Sequence, residues 1–233
     1  MKLLLIIALL LLVTPATSFS QEKTAPASKM VEFHMALLKR GPQWTEKKTP
    51  DKTEILARHR AYFTSLIESD RAVIGGPITD DGEIVGLYVL RAKSASQAFA
   101  WAGADPAVKA GYFSAEMHPW WSEEVMKKAA SPIKMTPAYI GFLSRGEKWT
   151  PEKTPETEQL QKAHMANINR LAETKKLVVA GPFGDNGQLR GIFVFKVASL
   201  EEAKELAATD PSVQAGRLAI EVHPWLVPEG ILP

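Results

Sequence analysis

Gly41-Pro-Gln-Trp-Thr-Glu-Lys-Lys-Thr-Pro50 is written a second time as Gly146-Glu-Lys-Trp-Thr-Pro-Glu-Lys-Thr-Pro155. Outward from this pair, residues 41–120 match 146–225 without a gap, and about 29 of these roughly 80 positions are identical. Asp105-Pro106 falls on Asp210-Pro211, and His118-Pro119-Trp120 falls on His223-Pro224-Trp225. Two copies are too few for a solenoid, in which each unit leans on neighbours at both sides. The pair is expected to close on itself about a pseudo-twofold axis.

Each copy reads β-α-β-β-α-β. The first strand, 31–40, places Phe33, Met35 and Leu37 on one face, and 138–145 is its counterpart. Thr49-Pro50 and Thr154-Pro155 open a helix, with threonine as cap and a proline whose missing N–H has no partner to lose. The apolar stripe of that helix carries Ile55, His59, Tyr62 and Leu66, then Leu160, His164, Ile168 and Leu171. Two short β runs follow and end in Gly-Pro. Asp81-Gly82 and Asn186-Gly187 are then expected to supply the positive φ angles of a tight hairpin. Ser94 with Gln97, and Ser199 with Glu202, form capping boxes for a second helix. The last strand is expected over 112–118 and 217–223.

Such a unit makes a four-stranded antiparallel sheet with both helices on one face. The bare face needs a cover, and an identical unit supplies one. The predicted architecture is therefore α+β: two tandem ferredoxin-like units forming an intramolecular pseudodimeric α/β barrel. The repeats span 31–121 and 137–227, joined by a linker over 122–136 and followed by a tail over 228–233.

Residues 1–20 read as a signal peptide. Lys2 precedes an apolar run over 3–13, and Ser18 and Ser20 stand as the small pair before a cut ahead of Gln21. A run of about 11 residues is too short to cross the roughly 30 Å hydrocarbon core as a helix. Export to the periplasm or the extracellular space is expected, with 21–30 a flexible segment and no membrane span left after cleavage. The chain has no cysteine. That excludes a lipid-anchored lipoprotein, a thiol nucleophile, a disulfide and a thiolate metal site. The net charge is +2, with lysines and acids interspersed and no basic stripe, so nucleic acid is not an expected partner.

At the level of motifs, His59, Gly76-Pro77, Gly82 and Asp105-Pro106-x-x-x-Ala110-Gly111, before a strand ending in Pro119-Trp120, resemble the YCII-related family. The same residues recur as His164, Gly181-Pro182, Gly187 and Asp210-Pro211-x-x-x-Ala215-Gly216. The resemblance covers nearly all of the mature chain, twice. It implies a ferredoxin-like fold of the dimeric α/β-barrel type, usually with one copy per chain. It also implies enzymatic use of the histidine and aspartate. The Trp-Thr-x-x-Lys-Thr-Pro segment before the first helix departs from the pattern of the short members. A haem role, known for other barrels of this shape, rests on fold analogy alone.

By this resemblance the catalytic candidates are His59 with Asp105 and His164 with Asp210. A partly buried imidazole that titrates near neutrality suits a general base, while a core histidine bonded to backbone is the structural alternative. Asp105 and Asp210 have good helix-cap chemistry, yet one carboxylate oxygen can cap while the other orients an imidazole. No serine or cysteine nucleophile accompanies them at recognisable spacing, which favours proton transfer over covalent catalysis. Trp44 and Trp149, in polar loops before Lys48 and Lys153, read either as a lid stacking on a planar substrate or as plugs tying the loop to the sheet. Gly86 and Gly191, in mid-strand, mark a close approach by a ligand or by a packed element.

Glu116 with His118, and Glu221 with His223, alternate on one strand face. They are too few for a metal site unless His34 joins, and Tyr139 stands at that position in the second copy. A polar outer face without metal is expected. The functional expectation is a cofactor-independent isomerase or lyase acting on a small carbonyl-bearing or aromatic molecule beneath the first helix. The rivals are a non-catalytic small-molecule binding module and a structural scaffold. Beyond the pairing of repeats, the pattern leaves room for a higher oligomer.

Overall fold

The computed structural model describes residues 29–233, so the signal-peptide reading and nearly all of segment 21–30 lie outside the described residues. The first repeat runs β1 (Met30–Arg40), α1 (Pro50–Glu68), β2 (Ala72–Pro77), β3 (Ile84–Leu90), α2 (Ala95–Gly103), α3 (Pro106–Lys109) and β4 (Phe113–Glu123). The second repeats that order as β5 (Met135–Arg145), α4 (Pro155–Glu173), β6 (Leu177–Pro182), β7 (Leu189–Phe195), α5 (Leu200–Ala208), α6 (Pro211–Gln214) and β8 (Leu218–Pro228). Each repeat folds into a four-stranded antiparallel sheet, ordered β2-β3-β1-β4 and β6-β7-β5-β8.

The helix starts follow the sequence chemistry. Thr49 accepts the Lys52 N–H, and Thr154 exchanges hydrogen bonds with Thr157 in a reciprocal box. Ser94 and Ser199 also cap. Gln97 and Glu202, however, reach back to the N–H groups of Lys93 and Ala198, one residue before the cap.

Burial on β1 is two-sided. Phe33, Met35 and Leu37 are completely buried on one face, and Ala36 and Leu38 are buried on the other. The second face lies under the helices. The first packs into a core shared by both repeats, where Phe33, Met35 and Trp120 join Ile140, Phe142 and Trp225.

The sheets seal each other at their edges. Beyond β2, Thr79 N–H donates to Pro224 C=O at 3.0 Å, and the Trp225 indole donates to Gly76 C=O at 3.2 Å. The mirrored junction has Gly184 N–H on Pro119 C=O at 2.8 Å and the Trp120 indole on Gly181 C=O at 3.1 Å. Closure satisfies edge groups that would otherwise recruit other chains. Trp120 and Trp225 are both 1% exposed. Burial of each indole contributes roughly 4–6 kcal/mol as an upper estimate. This joint is the barrel.

Three sequence expectations change in detail. The hairpins are not two-residue turns: of Asp81, Gly82, Asn186 and Gly187, Asn186 alone has positive φ, at 54°. Ile78 and Phe183 bridge to Trp225 and Trp120 of the opposite repeat, which widens each loop. Asp80 and Asp185 then close it by accepting the N–H groups of Gly82 and Gly187. The strands β4 and β8 run past the expected ends because β1 and β5 pair along their whole length. Residues 228–233 are not a free tail, since Ile231 and Leu232 are buried in the core and Lys127 N–H donates to Ile231 C=O at 2.7 Å. Among the described residues no helix is long and apolar enough to cross a membrane.

Candidate functional site

Two elements build each histidine–aspartate pair: α1 or α4 presents the imidazole, and the cap of α3 or α6 presents the carboxylate. In the first repeat Asp105 Oδ1 accepts the Ala107 N–H at 2.7 Å, while Oδ2 lies 2.7 Å from His59 Nδ1. In the second, Asp210 Oδ1 accepts the Ser212 N–H at 2.8 Å, and Oδ2 lies 2.6 Å from His164 Nδ1. Capping and orienting therefore coexist on separate oxygens of one fully buried carboxylate. An ionised carboxylate can only accept, so Nδ1 carries the proton and Nε2 the lone pair.

The surroundings of the two pairs differ. Tyr88 donates its hydroxyl to Asp105 Oδ2 and also sits 3.1 Å from His59 Nδ1. Burial, then the charge and hydrogen bond of Asp105, hold the Tyr88 phenol well above its ordinary pKa, so it stays a donor. Phe193 takes this position in the second repeat and stacks on His164 instead, with ring centroids 6.0 Å apart.

A cavity of about 460 Å³ opens beside His164. Its wall includes Ile168, Ala172 and Leu218, which stand where the first repeat has the buried Phe63, Ile67 and Phe113. All three exchanges remove side-chain volume from one place. His59 lines neither this cavity nor a second one of about 300 Å³ around Ile67 and Ala129. Strands β1 and β4 of the first repeat, with the segment after β4, complete the wall of the larger cavity through Met30, Ser122, Glu123 and Val125.

Trp149 lies on the cavity wall, ringed by the guanidinium groups of Arg145, Arg190 and Arg217 at 5.4, 4.9 and 4.6 Å from its centroid. Trp44 instead stacks on Phe113 at 5.8 Å, with the Lys52 ammonium 4.2 Å above its ring, and fills space as a plug. Gly191 lines the cavity, but its close neighbour is backbone. A Cβ there would stand 2.6 Å from Gly181 C=O, and one at Gly86 would stand 2.9 Å from Gly76 C=O. Pairing of β2 with β3, and of β6 with β7, demands these glycines.

The polar outer face expected of Glu116 and His118 is not what forms. Met35 pairs with His118 and Leu37 with Glu116, so these side chains share the face that packs against the other repeat, while His34 points to the helix side. His34 is thereby separated from them by the sheet. Among the described residues no group of three or more His, Asp or Glu is placed to hold a metal ion. His118 Nδ1 instead meets Asp185 Oδ2 of the second repeat at 2.5 Å, and His223 Nδ1 meets Asp80 Oδ2 of the first at 2.7 Å. These reciprocal pairs clasp the repeats.

Arg190, Arg217 and Tyr88 escape a reading built on identity between the copies. The usable signal lies in the differences, where Val85 is matched by Arg190, Tyr112 by Arg217 and Phe193 by Tyr88.

Known proteins resemble the chain at two levels. The sequence profile of the YCII-related domain matches residues 32–120 and 145–226, one match in each repeat. The uncharacterized protein YjpA of Bacillus subtilis (strain 168) is 34% identical over 76 residues, which is 31% of this chain and 87% of YjpA. Among solved structures, a mutant chlorite dismutase from Candidatus Nitrospira defluvii aligns with TM-score 0.54 at 11% identity, covering 85% of this chain and 92% of its own. A dye-decolorizing peroxidase from Bacteroides thetaiotaomicron VPI-5482 aligns with TM-score 0.52 at 11% identity, over 84% and 92%. A heme-binding protein from Thermus thermophilus aligns with TM-score 0.50 at 14% identity, over 86% and 92%. At such identities the likeness is one of fold, and it extends over both repeats together.

Proposed function

This chain belongs to the YCII-related domain family, in two tandem copies, and on that premise we propose that it is an exported acid–base enzyme whose second repeat carries the chemistry. The observation behind this reading is the 2.6 Å contact of His164 with Asp210 on the wall of a cavity large enough for a small molecule. His164 Nε2 takes a proton from an acidic position of a small carbonyl-bearing or aromatic substrate and returns it to a neighbouring atom or a leaving group. Asp210 holds the tautomer and stabilises the imidazolium that forms. Isomerisation follows when the proton returns to a neighbouring atom; elimination follows when the electron pair left behind expels the leaving group as its bond to carbon breaks and the group takes up the proton. His59 and Asp105, sharing one carboxylate oxygen with Tyr88 among larger side chains, serve packing rather than turnover.

The test is turnover of a panel of small carbonyl and hydroxy-aromatic compounds by His164→Ala and His59→Ala. Loss of roughly 10²–10⁴-fold is expected for His164→Ala, with little effect in His59→Ala. Equal loss in both would end the one-repeat reading. Ligand binding without turnover in the parent protein would make the cavity a binding module. A hemin titration gives a further check: a Soret shift that disappears in His164→Ala would replace proton transfer with heme binding, the property named for the Thermus protein. Export is tested by intact mass of the secreted chain, expected to begin at Gln21; a mass retaining Met1 would sink that part.

A further inference from the structure

We propose that the ligand of the His164 cavity is a small organic oxyanion, held by Arg190 with Arg217 in support, against the face of Trp149. The inference rests on the cavity reading above and adds the chemical class. Arg190 and Arg217 both line the cavity, whereas the matching positions of the first repeat hold the neutral Val85 and Tyr112. Among the described residues no carboxylate lies within ion-pair distance of Arg145, Arg190 or Arg217. Three guanidinium groups therefore share one indole with no ion-paired carboxylate among the described residues and only the more distant Asp185 to offset them, so a bound anion relieves their mutual repulsion.

Their hydrogen bonds divide the labour. Arg217 donates to Thr150 Oγ1 at 3.2 Å and to Thr150 C=O at 2.8 Å, and Arg145 donates to Asn186 C=O. Arg190 Nη1 is buried with no hydrogen-bond partner among the described residues. A buried donor left unpaired is costly, and a small turn of the guanidinium toward a carboxylate or phosphate oxygen in the cavity would satisfy it. Burial first, and then the charges of Arg145 and Arg217, hold the Arg190 pKa below its ordinary value, although Asp185 offsets part of that effect. Ser212, standing where the first repeat has Ala107, adds a further hydroxyl-bearing side chain to the wall. Among the described lining residues Glu123 is the one carboxylate, against Arg190 and Arg217.

The mature chain is titrated with benzoate and phenyl phosphate, and with neutral benzamide and benzyl alcohol, following arginine Nε–H resonances and melting temperature. Saturable binding of at least one anion is expected, shifting the Arg190 resonance, with both neutral analogues much weaker. Arg190→Gln and Arg217→Gln are expected to lower affinity about tenfold or more, with partial recovery in Arg190→Lys. The benzoate and phosphate arms tell which oxyanion fits. Equal binding of the neutral analogues, no saturable anion binding, or unchanged affinity in the glutamine variants overturns the inference. His164→Gln separates the two claims. If it abolishes turnover while affinity proves independent of ligand charge, this inference fails alone. If charge-dependent binding persists and turnover ignores His164, the acid–base reading fails alone.

Discussion

Tyr88 and Phe193 differ by a single hydroxyl, and that oxygen changes the partners of a buried carboxylate. In the first repeat the phenol shares Asp105 Oδ2 with His59; in the second, Asp210 Oδ2 serves His164. The consequence is measurable at high pH. The folded phenol keeps its proton above the pH near 10 at which an unfolded tyrosine ionises, so the native state binds more protons there and stability falls as pH rises. Tyr88→Phe is expected to remove that alkaline loss while costing about 1 kcal/mol at pH 7. Urea melts at pH 7 and 10.5 check this, and an unchanged alkaline slope would assign the effect to another group. Thr154→Ala, which removes the reciprocal cap of α4, is expected to cost about 1 kcal/mol by the same melts.

Strand edges carry the next level of constraint. Gly181 lies against β4 so closely that a Cβ would collide with Trp121 C=O, and Gly76 stands in the same relation to Leu226 C=O with φ at 150°. Gly181→Ala is expected to cost more than about 2 kcal/mol, read as a lowered denaturant midpoint; a neutral result would show that the joint can spread freely. The His118–Asp185 clasp adds an acid-sensitive element. Burial pushes the Asp185 pKa up, but hydrogen bonds from His118 and from the Gly187 N–H outweigh it and hold the carboxylate below its ordinary value. Its contribution is therefore present above about pH 4 and is lost as pH falls through the lowered folded pKa. Asp185→Asn is expected to flatten that acid slope and to cost about 1 kcal/mol at pH 7, the figure kept small because the group is partly hydrated.

The larger core cluster runs through both repeats, beside a smaller one confined to the second, so the described chain is expected to unfold in a single calorimetric transition; two resolved transitions would show independent halves. The pairing of each histidine with its aspartate entered only through the family resemblance, whereas the duplication, the order of elements and the threonine caps were legible in the chain. These depend on local chemistry and on residues repeated at one offset, which a linear reading can compare. The hairpins depart from their turn residues because Ile78 and Phe183 obey bridges to the opposite repeat. His118 reads as an outer-face residue from its own strand because the partner Asp185 lies far along the chain. The open cavity was equally hidden: Ile168, Ala172 and Leu218 are scattered in sequence, and only packing makes their lost volumes coincide. What the sequence determined is the repeated unit and the recurrence of one histidine and one aspartate at matching places in each copy. Only tertiary structure decided which dyad faces a space, because volume and charge are summed over neighbours that the chain brings together only on folding.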